Sequence, residues 1–267
     1  NAAEIIGVDE KGMWPRGVSA ESACFACFES PCELLSDLET FSEDKIFALL
    51  LERLNGLDEL RSLLGDNNLT YDSCGGYEVF TKADAELFEK CKSFLSIANK
   101  ELKARIGLKE TYSLADDRIP DYGFSRVEHL ILNKYEGALD TGEMMAHLIK
   151  LAGQLDITIL NGLEVSEFAE VNSGVKVTLK NDITLKCRKL HIATNGFAAS
   201  LLPHLDVKPA RAQVLITSPI DNLKVKGTFH MDEGYYYFRN VGNRILFGGG
   251  RQLDIAGETD TDLITTE

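Results

Sequence analysis

A predicted hairpin near residue 230 carries the side chains of this chain that are best suited to chemistry. Residues 227–240 run on into residues 244–251, and successive side chains of a strand alternate between two faces. A two-residue turn at Glu233-Gly234 would pair Asp232 with Tyr235, His230 with Tyr237, and Thr228 with Arg239. One face therefore collects a histidine, an arginine and two tyrosines. The candidate catalytic residues are Arg239, Tyr235, Tyr237 and His230.

The chemistry expected of this face is the binding of a flat ligand that carries a carboxylate. A second turn at Val241-Gly242 or Gly242-Asn243 adds Gly248 and Gly250 to the polar face, and the guanidinium of Arg239 can bind a carboxylate through two parallel hydrogen bonds. The other face is predicted to pack on the core with Phe229, Met231, Tyr236, Phe238, Ile245 and Phe247. The same pattern is also typical of an ordinary antiparallel sheet with one solvated side, in which Arg239 lies on the surface and His230 is structural.

The composition restricts the classes of partner. Of the 267 residues, 44% are hydrophobic and 26% are charged, which is typical of a globular protein with a substantial core. A formal net charge of −14 without a basic patch disfavours binding to nucleic acid. The longest apolar run, residues 46–51, is far too short to span a membrane. These features predict a cytoplasmic protein and are compatible with a homo-oligomer.

Three of the six cysteines lie close together at Cys24, Cys27 and Cys32. A pair with two intervening residues can bind zinc, but no histidine is near and the flanking residues are apolar. Buried, reduced cysteines without a metal are therefore the prediction, with a zinc or redox pair as the alternative.

The spacing of apolar residues predicts helices over residues 44–64, 82–106 and 141–155. Strands are predicted over 5–8, 71–80 and 157–159, as a meander over 165–187, over 189–194, and again beyond residue 211. Strands flanked by helices on each side of an antiparallel region indicate a mixed α/β or α+β fold, in which the chain crosses between two domains more than once.

Four segments together resemble the FAD-dependent oxidoreductases of the D-amino-acid oxidase superfamily, which includes glycine oxidase, sarcosine oxidase and the D-amino-acid dehydrogenases. Residues 8–12 (VDEKG) resemble the end of the second strand of a dinucleotide fold. Residues 17–26 (GVSAESACFA) are similar to the Gly-Ala-Ser segment of the family, and residues 136–140 (EGALD) to its Glu-Gly-x-Leu-Asp stretch. Residues 189–196 (KLHIATNG) resemble the strand that ends in Ala-Thr-x-Gly.

The resemblance implies FAD as the cofactor, with Glu10 on the adenosine ribose and the backbone of Val165 facing adenine. The remaining residues that it places at the cofactor are Ser19, Ser22, Thr194 and Gly196. Ser22 and Cys24 depart from the family, since many relatives have Asn and Gly there. The family's first strand and its phosphate-binding Gly-x-Gly-x-x-Gly loop are expected upstream of residue 1, and a segment covering the flavin is expected after Glu267. These residues alone are accordingly expected to lack FAD.

The implied architecture has two domains. Residues 1–30 and 136–200 would form a partial Rossmann-like FAD-binding domain, and residues 31–135 and 201–267 a substrate-binding domain with a large antiparallel sheet and flanking helices. The implied activity is oxidation of a small amine or amino acid by hydride transfer to the flavin. Two alternatives remain open: a truncated, non-catalytic module that keeps the fold without FAD, and a 2-hydroxy acid as the substrate.

Overall fold

The computed structural model describes residues 4–10, 22–262 and 264–266. The chain divides into two compact units. The first contains Asn1–Glu21, Met145–Ala212 and Leu253–Glu267, and the second contains Ser22–Met144 and Gln213–Gln252. The combination of helices with several sheets confirms the predicted mixed α/β class. The domain bounds given above stay a prediction.

The strands are, in chain order, β1 (Ile6–Asp9), β2 (Phe25–Ala26), β3 (Gly76–Thr81), β4 (Tyr112–Leu114), β5 (Val127–Asn133), β6 (Gly137–Ala138), β7 (Thr158–Asn161), β8 (Val165–Val171), β9 (Gly174–Leu179), β10 (Thr184–Cys187), β11 (Gln213–Ile216), β12 (Thr228–Met231), β13 (Tyr236–Val241) and β14 (Arg244–Gly249). The α-helices are α1 (Pro31–Thr40), α2 (Glu43–Leu64), α3 (Asp66–Leu69), α4 (Ala85–Ile106), α5 (Ile119–Tyr122) and α6 (Thr141–Gln154). Short 3₁₀ turns occupy Lys82–Asp84, Asp116–Arg118, Asn195–Ser200 and Arg251–Leu253.

A seven-stranded sheet dominates the second unit, in the order β11-β14-β13-β12-β3-β5-β4. Its neighbouring strands are antiparallel except β12 and β3, which run parallel. One face buries an aromatic cluster in which Phe229 stacks on Tyr77 and Phe238. At the β3–β5 end, the other face packs Phe80 and Ile131 against α1, α2 and α4.

Helix α1 was not predicted, although its start carries a recognisable signal. Ser30 accepts a hydrogen bond from the backbone N–H of Glu33, and the Glu33 carboxylate accepts one from the backbone N–H of Ser30. This reciprocal capping box, with Pro31 in the first turn, fixes where the helix begins. Cys32 and Leu34 then anchor it in the core.

The first unit contains a parallel pair, β1 with β7, and an antiparallel meander in the order β10-β9-β8. The predicted meander is therefore confirmed. The strand predicted over residues 189–194 is wrong, because this segment pairs with no strand among the described residues. Apolar alternation indicates a strand only where a neighbour supplies the ladder hydrogen bonds. No described helix combines the length and apolar character needed to cross a membrane.

Candidate active site

The hairpin has the predicted register. Thr228 pairs with Arg239, Phe229 with Phe238, and His230 with Tyr237. Val241 pairs with Arg244, so the second turn is Gly242-Asn243, one of the two predicted turns. The first turn is longer than predicted, because the last pair is Met231 with Tyr236, and Asp232 and Glu233 both have left-handed backbone angles. Tyr235 therefore lies in the loop rather than in the strand.

The polar face is organised as a row across four strands. Glu78 on β3 is level with His230 on β12, His230 with Tyr237 on β13, and Tyr237 with Gly248 on β14. A Cβ at Gly248 would lie 2.4–2.5 Å from the Tyr237 ring, so glycine provides the space for that ring. Burial raises the pKa of Tyr237, which disfavours its phenolate.

This face is covered rather than solvated at His230 and Tyr237. The ring of Phe25, on β2, meets the His230 ring edge-on at 5.0 Å and the Tyr237 ring at 5.7 Å between centroids. Strand β2 is held there by antiparallel pairing with β6. At these positions the polar face of the sheet is therefore not open to solvent, in contrast to an ordinary antiparallel sheet with one solvated side.

Arg239 is buried on the same face, with 8% of its surface exposed. Its Nη1 donates to the carbonyl oxygens of Cys24 at 3.1 Å and Leu139 at 3.0 Å. Its Nε is also buried and has no hydrogen-bond partner among the described residues. Nη1 of the guanidinium thus binds two backbone carbonyls, whereas the buried Nε remains a donor without an acceptor among the described residues.

Tyr235 lies apart from this row, with 53% of its surface exposed. It lines a cavity of about 240 Å³ together with Glu29, Glu33, Ser36, Asp37, Arg53 and Glu233. The structure therefore brings His230, Tyr237 and Arg239 together on one buried face and places Tyr235 at an acidic opening.

Three buried carboxyl groups surround the polar row. Burial raises the pKa of Glu136 to about 8, the pKa of Glu29 to about 8 and the pKa of Glu78 to about 7. Glu29 Oε2 accepts a hydrogen bond from Nη1 of Arg53 at 2.6 Å, and Glu78 accepts from the backbone N–H of Cys32 at 3.3 Å. All three are acids that can stay protonated near neutral pH.

Sequence reasoning did not place Glu78 or Glu29 in the site. Glu78 carries a usable signal, because it alternates with Tyr77 and Val79, which pack in the aromatic cluster, and so must lie on the opposite buried face with Phe80. Glu29 lies in a loop, where alternation offers no such signal. For Glu136, the sequence indicated only that it belongs to the segment 136–140 that resembles the family, and predicted no role for its side chain.

Of the proposed cofactor residues, Glu10 and Val165 lie near one another in the first unit. Glu10 is exposed immediately after β1, and the backbone N–H of Leu163 donates to the carbonyl of Asp9 at 3.0 Å. This bond brings the start of β8, which holds Val165, to the end of β1. A carboxylate and an exposed strand end at this place suit a ribose and an adenine.

Thr194 and Gly196 lie in the same unit, and the hydroxyl of Thr194 is buried without a hydrogen-bond partner among the described residues. Such an orphaned hydroxyl fits a polar ligand that supplies the missing contact. Ser22 lies in the other unit, and its Oγ accepts from the backbone N–H of Cys24 at 3.3 Å. Ser19 lies outside the described residues. The described residues thus fit the adenosine end of FAD.

Cys24 adopts φ 66°, a left-handed angle that suits the glycine common at this place in the relatives. All six cysteines are free thiols. The predicted burial holds for Cys32 but is wrong for Cys27, which is exposed, and Cys24 is half-buried. Within the described residues no group of three or more His, Cys, Asp or Glu side chains is arranged to hold a metal ion.

Comparison with protein families identifies the class of protein to which this chain belongs. The family described as FAD dependent oxidoreductase matches residues 12–266. The chain therefore belongs to the DAO family of FAD-dependent oxidoreductases. The comparison with curated proteins gave no match.

Several solved structures with this fold carry the names of amino-acid oxidases or deaminases. Glycine oxidase from Bacillus cereus has a TM-score of 0.66 at 14% identity, over 91% of this chain and 65% of that one. L-amino acid deaminase from Proteus vulgaris has a TM-score of 0.68 at 13% identity, over 93% and 55%. Iminodiacetate oxidase from Chelativorans has a TM-score of 0.65 at 16% identity, over 92% and 65%. The chain thus spans less than two thirds of the length of each.

Proposed function

We propose that the intact protein oxidises a small amine or amino acid, and that the buried polar face around Arg239 binds the substrate. Membership of the FAD-dependent oxidoreductases supports the reaction class. The names of the three structural relatives, all of which act on amino or imino acids, support the substrate class.

The observation that carries the proposal is the buried Nε of Arg239, for which the described part of the chain offers no acceptor. An unpaired buried donor on a charged group costs about 1–3 kcal/mol, so a ligand that accepts from it is favoured by that amount. A substrate carboxylate supplies such an acceptor, and guanidinium binds carboxylate with good geometry. The two bonds from Nη1 hold the guanidinium in place for this contact.

The neighbouring side chains have narrower proposed roles. Tyr237 keeps its proton because of burial, so its phenol can donate to a carboxylate oxygen. His230, level with Tyr237 across the hairpin, orients that ring. Tyr235, at the acidic opening, is proposed to contact substrate as it enters.

The cofactor is proposed to be held at its adenosine end by Glu10, by the backbone of Val165 and by the hydroxyl of Thr194. Ser19, Ser22 and Gly196 remain proposed cofactor residues. When bound, FAD accepts the hydride from the carbon next to the substrate nitrogen. Residues 1–30 and 136–200 are proposed to form the FAD-binding domain, and residues 31–135 and 201–267 the substrate-binding domain.

The proposal is tested by adding substrates to the purified intact protein without oxygen and recording the bleaching of the flavin absorption. The panel contains small amino acids, the matching amines without a carboxylate, and the matching 2-hydroxy acids. We expect bleaching by an amino acid, weaker bleaching by its decarboxylated amine, and none by the hydroxy acid. Bleaching by the hydroxy acid alone would assign the alternative substrate. A protein that binds no flavin even after incubation with FAD would be the non-catalytic module.

A further inference from the structure

Glu136 is one of the most deeply buried acidic side chains described in this chain, with 1% of its surface exposed. Its Oε1 accepts the backbone N–H groups of Phe28 at 3.2 Å and Glu29 at 3.3 Å. Both lone-pair directions of this oxygen are therefore engaged by donors. If the carboxyl group carries a proton, that proton belongs on Oε2.

The second oxygen, Oε2, has different surroundings. A Cβ at Gly76 would lie 1.9 Å from it, so glycine at residue 76 makes room for this oxygen on the sheet. On the same face it lies 3.9 Å from Nε2 of His230. That nitrogen is buried and lacks a hydrogen-bond partner among the described residues, and 8% of the histidine surface is exposed.

We propose that Glu136 is a positioning residue whose Oε2 holds a proton toward Nε2 of His230, keeping a neutral imidazole in place beside Tyr237. The protonation of Glu136 beside a neutral His230 does not depend on the proposed function. Only its consequence for substrate binding rests on that function. In the alternative arrangement the same proton is on His230, so that a Glu136 carboxylate forms an ion pair with an imidazolium. A neutral pair avoids placing two charges in a buried site where no direct hydrogen bond joins them.

The groups around the pair also favour the neutral form. The pKa of Glu136 is raised by burial first and by the carboxylates of Glu33 and Glu78 next, whereas the two backbone N–H groups lower it. The pKa of His230 is lowered by burial, against the effect of Glu33. The titratable and charged groups that act on the pair or lie beside it include Tyr237, opposite His230 on β13, and Cys27, Glu29, Glu33, Arg53, Glu78 and Tyr112.

Among the described residues, two cations lie within this region, and both are engaged elsewhere. Arg53 pairs with Glu29, and Arg239 donates to backbone carbonyls. Arg239 forms no ion pair within the described residues. Within the part of the chain that the structure describes, the cation left to stabilise an ionised Glu136 is His230 itself, and its own burial disfavours the charged ring.

The first test follows the ring nitrogens of ¹⁵N-labelled histidines in the intact protein across about pH 6–8, where an ordinary histidine titrates. The chain has five histidines, and the signal of His230 is the one missing from His230→Asn. We expect a neutral His230 ring over this whole range, in the wild type and in Glu136→Gln. An imidazolium in the wild type that becomes neutral in Glu136→Gln would establish the ion pair and overturn the proposal.

The second test locates the proton on Glu136. An amide keeps the acceptor for the two backbone N–H groups and cannot ionise. The unfolding midpoint of Glu136→Gln in urea should therefore rise relative to the wild type as the pH increases from about 5 to 8. Glu110→Gln, whose side chain is 92% exposed, is the matched control and should follow the wild type. Parallel curves for Glu136→Gln would show that Glu136 is ionised in the folded protein, and would overturn the proposal.

The positioning role is read from the pH dependence of kcat/KM. We expect the wild type to lose kcat/KM above about pH 8 as Glu136 ionises, and this decline to be absent from Glu136→Gln. An unchanged alkaline limb would remove Glu136 from the positioning of the site. The two tests above need no substrate, so an absence of turnover in the wild type would count against the proposed function and leave the protonation result standing.

Discussion

Arg239 combines a structural contact with a proposed binding contact in one guanidinium. Nη1 joins the carbonyls of Cys24 and Leu139, which are distant in the chain, while the buried Nε meets no acceptor from residues 4–10, 22–262 or 264–266. Cys24 holds a left-handed backbone angle, and its carbonyl also accepts from the backbone N–H of Leu139. The arginine therefore helps to hold the segment that covers the polar face, whether or not substrate is present.

Arg239→Met should remove both the structural contact with the backbone carbonyls and the proposed contact with the substrate. For a substrate with a carboxylate, kcat/KM should fall by the equivalent of about 2–5 kcal/mol, because a buried charge and its hydrogen bonds are lost. An amine without a carboxylate should lose much less. The matched control is Arg244→Met, on the next strand, which removes a bond to the carbonyl of Thr217 but lies outside the proposed site. Equal losses for both kinds of substrate would leave Arg239 with a structural role only.

Thr194→Val separates protein stability from cofactor binding. Valine has the same shape and removes the buried hydroxyl that lacks a partner, so the flavin-free protein should become more stable by about 1 kcal/mol. The intact protein should at the same time retain less FAD after dialysis. Thr158→Val, at an exposed position of β7, is the control and should change neither quantity. Undiminished FAD retention in Thr194→Val would exclude the hydroxyl from the cofactor site.

At the scale of single elements, the start of α1 supports the buried acids. The capping box of Ser30 and Glu33 fixes the first turn, from which the backbone N–H of Cys32 reaches Glu78. Helix α2 follows directly, and the side chain of its N-cap, Ser42, makes no capping hydrogen bond. The two N-caps can therefore be compared directly, because the side chain of Ser30 makes a capping hydrogen bond and that of Ser42 does not.

Ser30→Ala should lower the free energy of unfolding by about 1 kcal/mol, since it removes the acceptor for the N–H of Glu33. Ser42→Ala should change it by only a few tenths of a kcal/mol. Urea unfolding of both variants measures the difference. Equal effects would mean that the capping contact contributes nothing beyond the helix propensity of alanine.

The hairpin and its glycine show how one element shapes the site. Gly248→Ala would place a methyl group against the ring of Tyr237, so the ring must shift or the strand must bend, at a cost of about 1–3 kcal/mol. Because Tyr237 is proposed to donate to the substrate, KM should rise as well. Gly153→Ala, where nothing lies within 4 Å of the added carbon, is the control. A Gly248→Ala variant with wild-type stability would show that the ring moves freely.

At the scale of the whole molecule, the three buried carboxyl groups predict the sign of a pH effect on stability. Their folded-state pKa values of about 7 to 8 exceed the ordinary value of 4.5, so the folded state binds more protons than the unfolded state between these limits. The stability that they contribute is complete below about pH 4.5 and decreases as the pH rises through 7 and 8. Each fully titrating group contributes a slope of up to about 1.4 kcal/mol per pH unit.

Urea unfolding at a series of pH values should therefore show a free energy of unfolding that falls from about pH 5 to pH 8. Glu78→Gln should make this slope shallower, because its amide cannot ionise. Glu110→Gln should leave the slope unchanged, since that side chain is exposed. A stability that rises with pH over this range would mean that the buried carboxyl groups are ionised and paired in the folded protein.

The sequence by itself determined the hairpin register, its two faces and the long helices, because these follow from periodicities of two and of 3.6 residues that are local to each segment. Its family-like segments also indicated the cofactor class. The turn at Asp232 and Glu233 escaped prediction because glutamate, unlike aspartate, does not favour the left-handed angle that both residues adopt.

Only the tertiary structure decided that the polar face is covered and acidic. Phe25 meets His230, and Glu136 meets Phe28, across more than a hundred residues of chain, and no local pattern specifies such a contact. The same contacts remove water from Arg239 and Glu136, and the loss of water is what leaves Nε without an acceptor and raises the pKa of the carboxyl group. The face of the sheet on which each residue lies could thus be predicted one strand at a time. The protonation states and partners of these residues depend on burial, which is a property of the folded chain.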